Sequence, residues 1–386
     1  MPDTALSTSL KANCPRRDLF EAVTAVGKAV AARTSVPILT HVCLTADAGR
    51  LTVMGTDLEM WLEYTMATQS FTSSGAATCP ARNLTELLGA MPEAEVDMSV
   101  DPETHALSLR CNRSNYTLLG LPADEFPRLP TIQATCTIKV DRAALRNAVK
   151  QTLFATSSDE TRAILTGVLL VFQGEGLRLV ATDTHRLALR DCPVLEGTGS
   201  ASVIVPARAM GELQRMIHAG DGPVQITVAT GQIQFKTNET TGSETTLLSR
   251  LIEGQFPNYE RVIPTQATKQ LTVQREPMGQ AVRRAAIVAR ESNNRVVIRT
   301  TDDGQRLSIS AESGSVGNAY EEVEVAYDIS TGPVEIAFNA KYLSDVLAVL
   351  DGEGLRIELT ESLRPGVVRP IGSDDYLCVL MPMQVV

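Results

Sequence analysis

Two apolar periodicities alternate along the chain. Leu19, Val23, Val26 and Val30 recur every three to four residues, which predicts one buried face of a helix. Runs such as "GVLLVF" (167–172) and "GLRLVAT" (176–182) are short, β-branched and separated by glycine, as strands are. "GPVQITVATGQIQFKT" (222–237) reads as two strands about an Ala-Thr-Gly turn, and "GLRIELTE" (354–361) alternates in steps of two. The order is helix, strands, second helix, strands, and then it starts again. Helices and antiparallel sheet in repeated units predict an α+β architecture.

The repetition has a fixed period. "LTVMGTD" ends at Asp57 and "LRLVATD" at Asp183, 126 residues later. "PARNLTELL" (from Pro80) and "PARAMGELQ" (from Pro206) keep the same 126-residue offset, as do "DLFEAV" (from Asp18) and "ALRNAV" (from Ala144). "ADEFPRLP" (123–130) answers "EGQFPNYERVIP" (253–264) with a small insertion. A weaker third copy runs through "PMGQAVRRAA" (from Pro277), "LSISAES" (307–313), "FNAKYLSDVLAVL" (338–350) and "LCVLMP" (377–382). Matches in one order at one offset identify internal repeats. Pro- and Thr-containing stretches near 130–137 and 264–270 separate them, so three domains are expected, 1–132, 133–265 and 266–386.

Composition narrows the class. With 386 residues, 44% of them hydrophobic and 21% charged, the chain has the make-up of a multidomain globular protein, and its apolar runs are too short to span a bilayer. Seven scattered cysteines, with no CxxC spacing, argue against a disulfide framework or a structural zinc site. The start of the chain lacks a signal-peptide pattern, so a cytoplasmic location is expected. A net charge of −10 would disfavour a polyanionic partner, but the charge is segregated. Residues 15–33 carry net +2, 141–154 +2, 277–290 +3 and 206–218 +1, which leaves −18 on the rest. Basic helices at equivalent places in an acidic chain suit one polyanion, the phosphate backbone of duplex DNA. Aromatics are only 4%, and no recognition-helix pattern is present, so contact without sequence preference is expected.

The stretch "VATDTHRLAL" (180–189) gathers Asp183, His185 and Arg186 in one turn. An enzyme reading needs a partnered nucleophile, and no Ser or Cys stands in such a motif; a metal needs more ligands, and His41, His105 and His218 are isolated. No catalytic residue, cofactor or metal is expected. Asp57 and Asp183 read as acceptors for the backbone of the following turn, and His185 taken alone as a hydrogen-bonded turn residue. Two functions stay open on these grounds: a DNA-binding protein, and a protein-only peptide scaffold without DNA.

"ATDTHRLAL", "ILTGVLLVF", "RTSVPIL", "LPADEFPRLP", "FPNYERVIP" and the terminal "VLMPMQ" together resemble the sliding-clamp family, the processivity subunits of bacterial DNA polymerase III, over essentially the whole chain. The resemblance implies three clamp domains per chain and a head-to-tail homodimeric ring around duplex DNA. In that ring helices line the hole and sheets form the outside. It also implies a pocket for short linear peptides of the polymerase alpha subunit, the clamp loader, other polymerases and repair proteins. Carried over by position, the pocket holds Leu165, Thr182, Thr184, His185, Arg186, Leu187, Pro257, Arg261 and Val262. To these it adds Asn339, Tyr342, Leu363, Pro365, Val379, Met381, Pro382, Met383 and Gln384. Arg186 and Arg261 are expected at its rim, as donors to the peptide. Arg33, Arg142, Arg146, Lys150, Arg208, Arg215, Arg283 and Arg284 are the expected DNA-facing charges. Tyr116 and Leu118 are expected to meet Ile287 and Val288 across the dimer, with Arg113 near Glu321, Glu322 and Glu324. The chain departs from the family pattern at Thr184, where glycine is usual, and at Ala163 and Ile164, where some relatives have tyrosines.

Overall fold

A computed structural model describes residues 8–218, 220, 222–238 and 242–385. Its helices are α1 (Arg16–Val26), α2 (Ala81–Ala90), α3 (Arg142–Leu153), α4 (Ala207–Met216), α5 (Arg275–Ala289) and α6 (Ala340–Val349). They fall in pairs, two to each sequence repeat. In α1 the buried side chains are Leu19, Ala22, Val23 and Val26, the spacing the sequence predicts. The helix stops earlier than the periodicity suggests: after Gly27 the bonds tighten to three residues back, Lys28 N–H to the Ala25 carbonyl at 3.3 Å and Ala29 N–H to the Val26 carbonyl at 3.0 Å. Val30, Lys28 and Arg33 therefore lie beyond α1, in the connection that follows. The start of α6 is set by Asn339, whose Oδ1 accepts from the Lys341 and Tyr342 N–H groups at 2.9 and 3.4 Å.

The chain divides into two compact units, and the middle repeat contributes to both. The first holds the chain up to Ala143, Val194–Ala201 and Arg208–Leu251. Its strands form a continuous antiparallel sheet. The strand Met60–Ala67 of the first repeat pairs with Glu244–Arg250, the last strand of the second, with Leu62 opposite Leu247. At the far side, Ser114–Leu118 pairs with Leu107–Cys111 and with no other strand among the described residues.

The second unit holds Ala144–Pro193, Ser202–Ala207 and the chain from Ile252 onward. Its sheet repeats the same junction one repeat later. The strand Arg186–Thr198 pairs with Tyr376–Leu380, the last strand of the third repeat, with Leu187 opposite Val379. Leu169, Val180, Leu187, Leu189, Val367, Leu377 and Val379 form an apolar cluster at this seam, and Phe256, Tyr259 and Val262 pack against it. In the third repeat the matching strand is Gly317–Tyr327. It pairs with Arg306–Ser313 along most of its length, and with Lys269–Gln274 only from Val325 on. Among the described residues, its first half has one open edge.

The two TD turns close alike. Thr56 Oγ1 donates to the Met60 carbonyl at 2.8 Å and accepts from Leu58 N–H at 2.9 Å. Thr182 Oγ1 donates to the Arg186 carbonyl at 2.7 Å and accepts from Thr184 N–H at 3.1 Å. Asp57 Oδ1 accepts from the Glu59 and Met60 N–H groups at 3.1 and 2.9 Å, and Asp183 Oδ1 from those of His185 and Arg186 at 2.9 and 3.0 Å. Both aspartates are thus the backbone acceptors that the sequence predicts. The third-repeat turn is one residue shorter, with Ser313 opposite Gly317, and lacks the aspartate.

This closure drives its third residue into the left-handed region, with φ +74° at Leu58 and +79° at Thr184. A β-branched side chain at positive φ is strained, which explains why glycine suits this position. Thr184→Gly and Leu58→Gly should each stabilise the chain by roughly 0.5–1 kcal/mol, the strain relieved less the entropy glycine adds to the unfolded chain. Thr184→Ala should gain nothing, because it keeps the Cβ. Urea unfolding of the three variants checks this, and equal midpoints for Thr184→Gly and Thr184→Ala would refute the strain.

Candidate functional site

The Thr182–Leu187 turn is organised around one buried cation. Arg186 is 6% exposed, although it was expected at a solvated rim. Its Nε donates to Asp183 Oδ2 at 3.1 Å, one terminal nitrogen to Asp345 Oδ2 at 2.6 Å, and the other to the Phe154 carbonyl at 2.6 Å. The guanidinium lies 5.1 Å from the Phe154 ring centroid and 4.5 Å from that of Tyr342. A buried guanidinium is tolerated only when its donors are paired in this way. Three of its donors are therefore committed within the chain, and its burial does not fit a place on a solvated rim. That corrects the rim expectation. The reason is spacing: Asp183 and Asp345 flank it, and Tyr342 and Asp345, three apart on α6, present one helix face to it.

Around this centre several expected pocket residues come together. His185 is exposed and stacks on Tyr342, with ring centroids 6.3 Å apart and an interplanar angle of 21°. Burial holds the Tyr342 phenol above its ordinary pKa, so it stays neutral near pH 7. Met381 N–H donates to the His185 carbonyl at 2.9 Å, and Met383 N–H to the Ala337 carbonyl at 2.8 Å. Met381, Pro382 and Met383 are half-buried, Gln384 is exposed, and Val262 lies against the apolar cluster. Leu165, Leu187 and Val379 are buried, and Asn339 caps α6. Pro257 and Leu363 are exposed on loops, Leu363 at 67%, and Arg261 is exposed on the short 3-10 turn Tyr259–Val262.

Two contributors escaped sequence reading. Asp345 is one; its signal was the i, i+3 spacing from Tyr342. The other is Arg162, which donates to the Thr184 hydroxyl at 3.2 Å and to Asp159 at 3.0 Å. A cavity of about 420 Å³ lies elsewhere in this unit, lined by Gln270, Arg356, Glu358, Arg369 and Asp374 among others. Of the expected pocket residues it includes Pro365 alone.

The expected DNA-facing charges separate into classes. Arg142 is 4% exposed and donates to the Asn238 carbonyl at 3.5 Å, so it does not face solvent. It corrects the expectation: Arg142 shares a helix face with the fully buried Leu145 and Val149, three and seven positions on. Arg208 is bound to Asp57 and donates to the Lys28 carbonyl at 3.0 Å. The aspartate of the first TD turn is thus held from α4, as that of the second is tied, through Arg186, to α6. Arg215 pairs with Glu212, Arg283 with Glu276 at 3.3 Å, and Arg284 with Glu321 through two bonds of 2.8 and 2.6 Å. Arg33 and Lys150 are exposed, and Arg146 is half-buried and partnered.

Of the expected dimer residues, Ile287 is 65% exposed on α5, while Val288, Tyr116 and Leu118 are half-buried. Arg113 and Glu324 are exposed, and Glu322 pairs with Arg306 at 2.7 Å. Glu321 and Glu322 are thus already engaged within the chain. Among the described residues no group of His, Cys, Asp and Glu could hold a metal ion, and no helix is long and apolar enough to cross a membrane.

Known proteins with this arrangement are consistent in kind. Family models of the DNA polymerase III beta subunit match in order: its N-terminal domain over residues 10–130, its central domain over 139–258 and its C-terminal domain over 260–384. A beta sliding clamp of Synechococcus elongatus is 33% identical over 381 residues, covering 97% of this chain and 99% of its own. One of Staphylococcus aureus is 29% identical over 364 residues, covering 92% and 94%. Among solved structures, a sliding clamp of Pseudomonas aeruginosa bound to griselimycin superposes with a TM-score of 0.91 at 31% identity, over 98% of this chain and all of that one. The DNA polymerase sliding clamp of Bacillus subtilis gives 0.89 at 28% identity, over 98% of this chain and all of that one. With the repeats, the duplicated turns and strand junctions, and a relative at this identity along its whole length, the chain belongs to the DNA polymerase III beta subunit family, the beta sliding clamps.

Proposed function

We propose that two copies of this chain close head to tail into a ring around duplex DNA and tether the replicative polymerase and other replication and repair proteins to it. The observation that carries the reading is the repeated strand junction. Twice within the chain, the strand after a turn pairs with the last strand of the next repeat. The third such strand, Gly317–Tyr327, is left with an open edge, and so is Ser114–Leu118, the last strand of the first repeat. Open edges carry unpaired backbone groups and seek a partner strand. Pairing them between copies continues the pattern and is heterologous, which closes into a ring when the rotation allows. Ile287, Val288, Tyr116 and Leu118 would supply its apolar contacts, and Arg113 would face the Glu321–Glu324 region. The domains would run 1–132, 133–265 and 266–386, and the protein would work in the cytoplasm.

Such a ring needs no chemistry of its own. It stays on DNA because leaving requires opening or reaching an end. Weak phosphate contacts from Arg33, Lys150 and Arg283 then favour sliding over arrest. The turn around His185, with Tyr342, Val262, Met381 and Met383, would take short peptides with apolar anchors, since methionine adapts to several ligands. A protein-only scaffold would not need exposed cations on equivalent helices of two repeats, Lys150 on α3 and Arg283 on α5.

Four outcomes are expected. Sedimentation should give twice the 41.5 kDa chain mass, and the dimer should remain on nicked circular DNA at high salt but leave linear DNA. Ile287→Asp should give monomers that are not retained; a fully dimeric Ile287→Asp protein would disprove this interface. Removing Arg33, Lys150 and Arg283 together, six cations per two-chain ring, should weaken binding to every sequence alike and flatten the salt dependence by up to roughly five units in log–log slope. An effect confined to certain sequences contradicts phosphate-only contact. Met381→Ala should weaken a fluorescein-labelled peptide with one glutamine and three apolar residues about tenfold, the equivalent of about 1.4 kcal/mol. Unchanged polarisation titrations would place the pocket elsewhere.

A further inference from the structure

We propose that Asp345, on α6, is a positioning residue for the peptide groove: through Arg186 it fixes the Thr182–Leu187 turn and the tyrosine against which His185 stacks. The inference rests on the peptide-groove reading above and concerns a residue that need not touch the peptide. The chain of contacts is short. Asp345 Oδ2 accepts from Arg186 at 2.6 Å, Arg186 Nε donates to Asp183 Oδ2 at 3.1 Å, and Asp183 Oδ1 holds the His185 and Arg186 N–H groups. Asp345 and Tyr342 lie one turn apart on α6, so one helix supplies both the anion that binds the guanidinium and the ring that covers it.

Two features make Asp345 the controlling member. Arg186 is 6% exposed, so a lost anion is not readily replaced by water. The turn itself is strained at Thr184, with φ +79°, and a strained turn keeps one conformation only while its surroundings hold it. Releasing Arg186 from α6 frees Tyr342 to leave the guanidinium face and removes the fixed orientation of His185. Lys341 Nζ also binds Asp345 Oδ2, at 3.1 Å, but its side chain is 65% exposed, and it bonds neither Asp183 nor Phe154 among the described contacts. The tie that matters is to Arg186.

Polarisation titrations of the full-length protein with the fluorescein-labelled peptide, made well below the unfolding temperature, test this. Asp345→Asn should raise the Kd about five- to tenfold, Asp345→Glu should recover most of that loss, and Lys341→Ala should stay within about twofold of the parent. Combining Asp345→Asn with Arg186→Lys should cost little more than the worse single change, because both break one tie. If the parent binds and Asp345→Asn binds equally well, Asp345 has no positioning role. If Lys341→Ala weakens binding as much as Asp345→Asn and Asp345→Glu restores nothing, the effect is general loosening of α6, and the proposal is overturned. A parent that does not bind the peptide at all defeats the groove reading itself, and with it this inference.

Discussion

The antiparallel pairing of one repeat's turn strand with the next repeat's last strand is the constraint on which the rest depends. A strand exposes a backbone donor or acceptor at every residue, and leaving a row of them open invites association. Within the chain two such rows are satisfied, at Leu62 opposite Leu247 and at Leu187 opposite Val379. The hydrophobic faces follow from that register, because a shift by one residue would turn Leu187 and Val379 out of the apolar cluster they share. The middle repeat consequently gives strands to both compact units. Its sequence is one unit, but its hydrogen bonds go in two directions.

The TD turns sit at these junctions, which explains why their polar residues look like chemistry and behave as structure. A hairpin that hands its second strand to another repeat needs a turn of fixed shape. Thr and Asp supply that shape by accepting from backbone N–H groups and donating to a carbonyl, at the cost of one residue at positive φ. The helix of the following repeat then clamps the aspartate, by Arg208 on Asp57 and by Asp345 acting through Arg186 on Asp183. The two solutions differ in burial. Arg208 keeps half its side chain in solvent, where an ion pair contributes little, while Arg186 is itself buried and needs its partners, although Asp345 stays partly exposed. If the second turn carries the proposed groove, that difference would let it hold one geometry more firmly than the first.

Much of this was legible in the sequence because it depends on local pattern. The 126-residue offset, the glycine turns and the spacing of Leu19, Val23 and Val26 gave the repeats and their helices, and the two aspartates read correctly as turn acceptors. Legibility failed where pairing over long range decides. Arg142 looks like an exposed helix cation until Leu145 and Val149 are found fully buried on its face. Arg284 and Glu321 read as parts of different surfaces, yet they bind each other across 37 residues. Arg186 reads as a rim donor because its partner Asp345 stands 159 residues away. Charge count survives such errors in sum, but the role of each charge does not.

These pairings bear on how a chain of net charge −10 could hold a polyanion without arresting on it. A cation already bound to a carboxylate has less to gain from a phosphate, since binding must first break or share that pair. Arg208, Arg215, Arg283 and Arg284 all have carboxylate partners within the chain. Each would therefore contribute a weak contact that is easily exchanged for the neighbouring one, while the acidic remainder repels DNA from other faces. For an enzyme that must grip its substrate, such tempering would be a defect. In a ring, retention comes from closure and not from affinity, so weak contacts lower the barrier between successive positions and leave the bound lifetime unchanged.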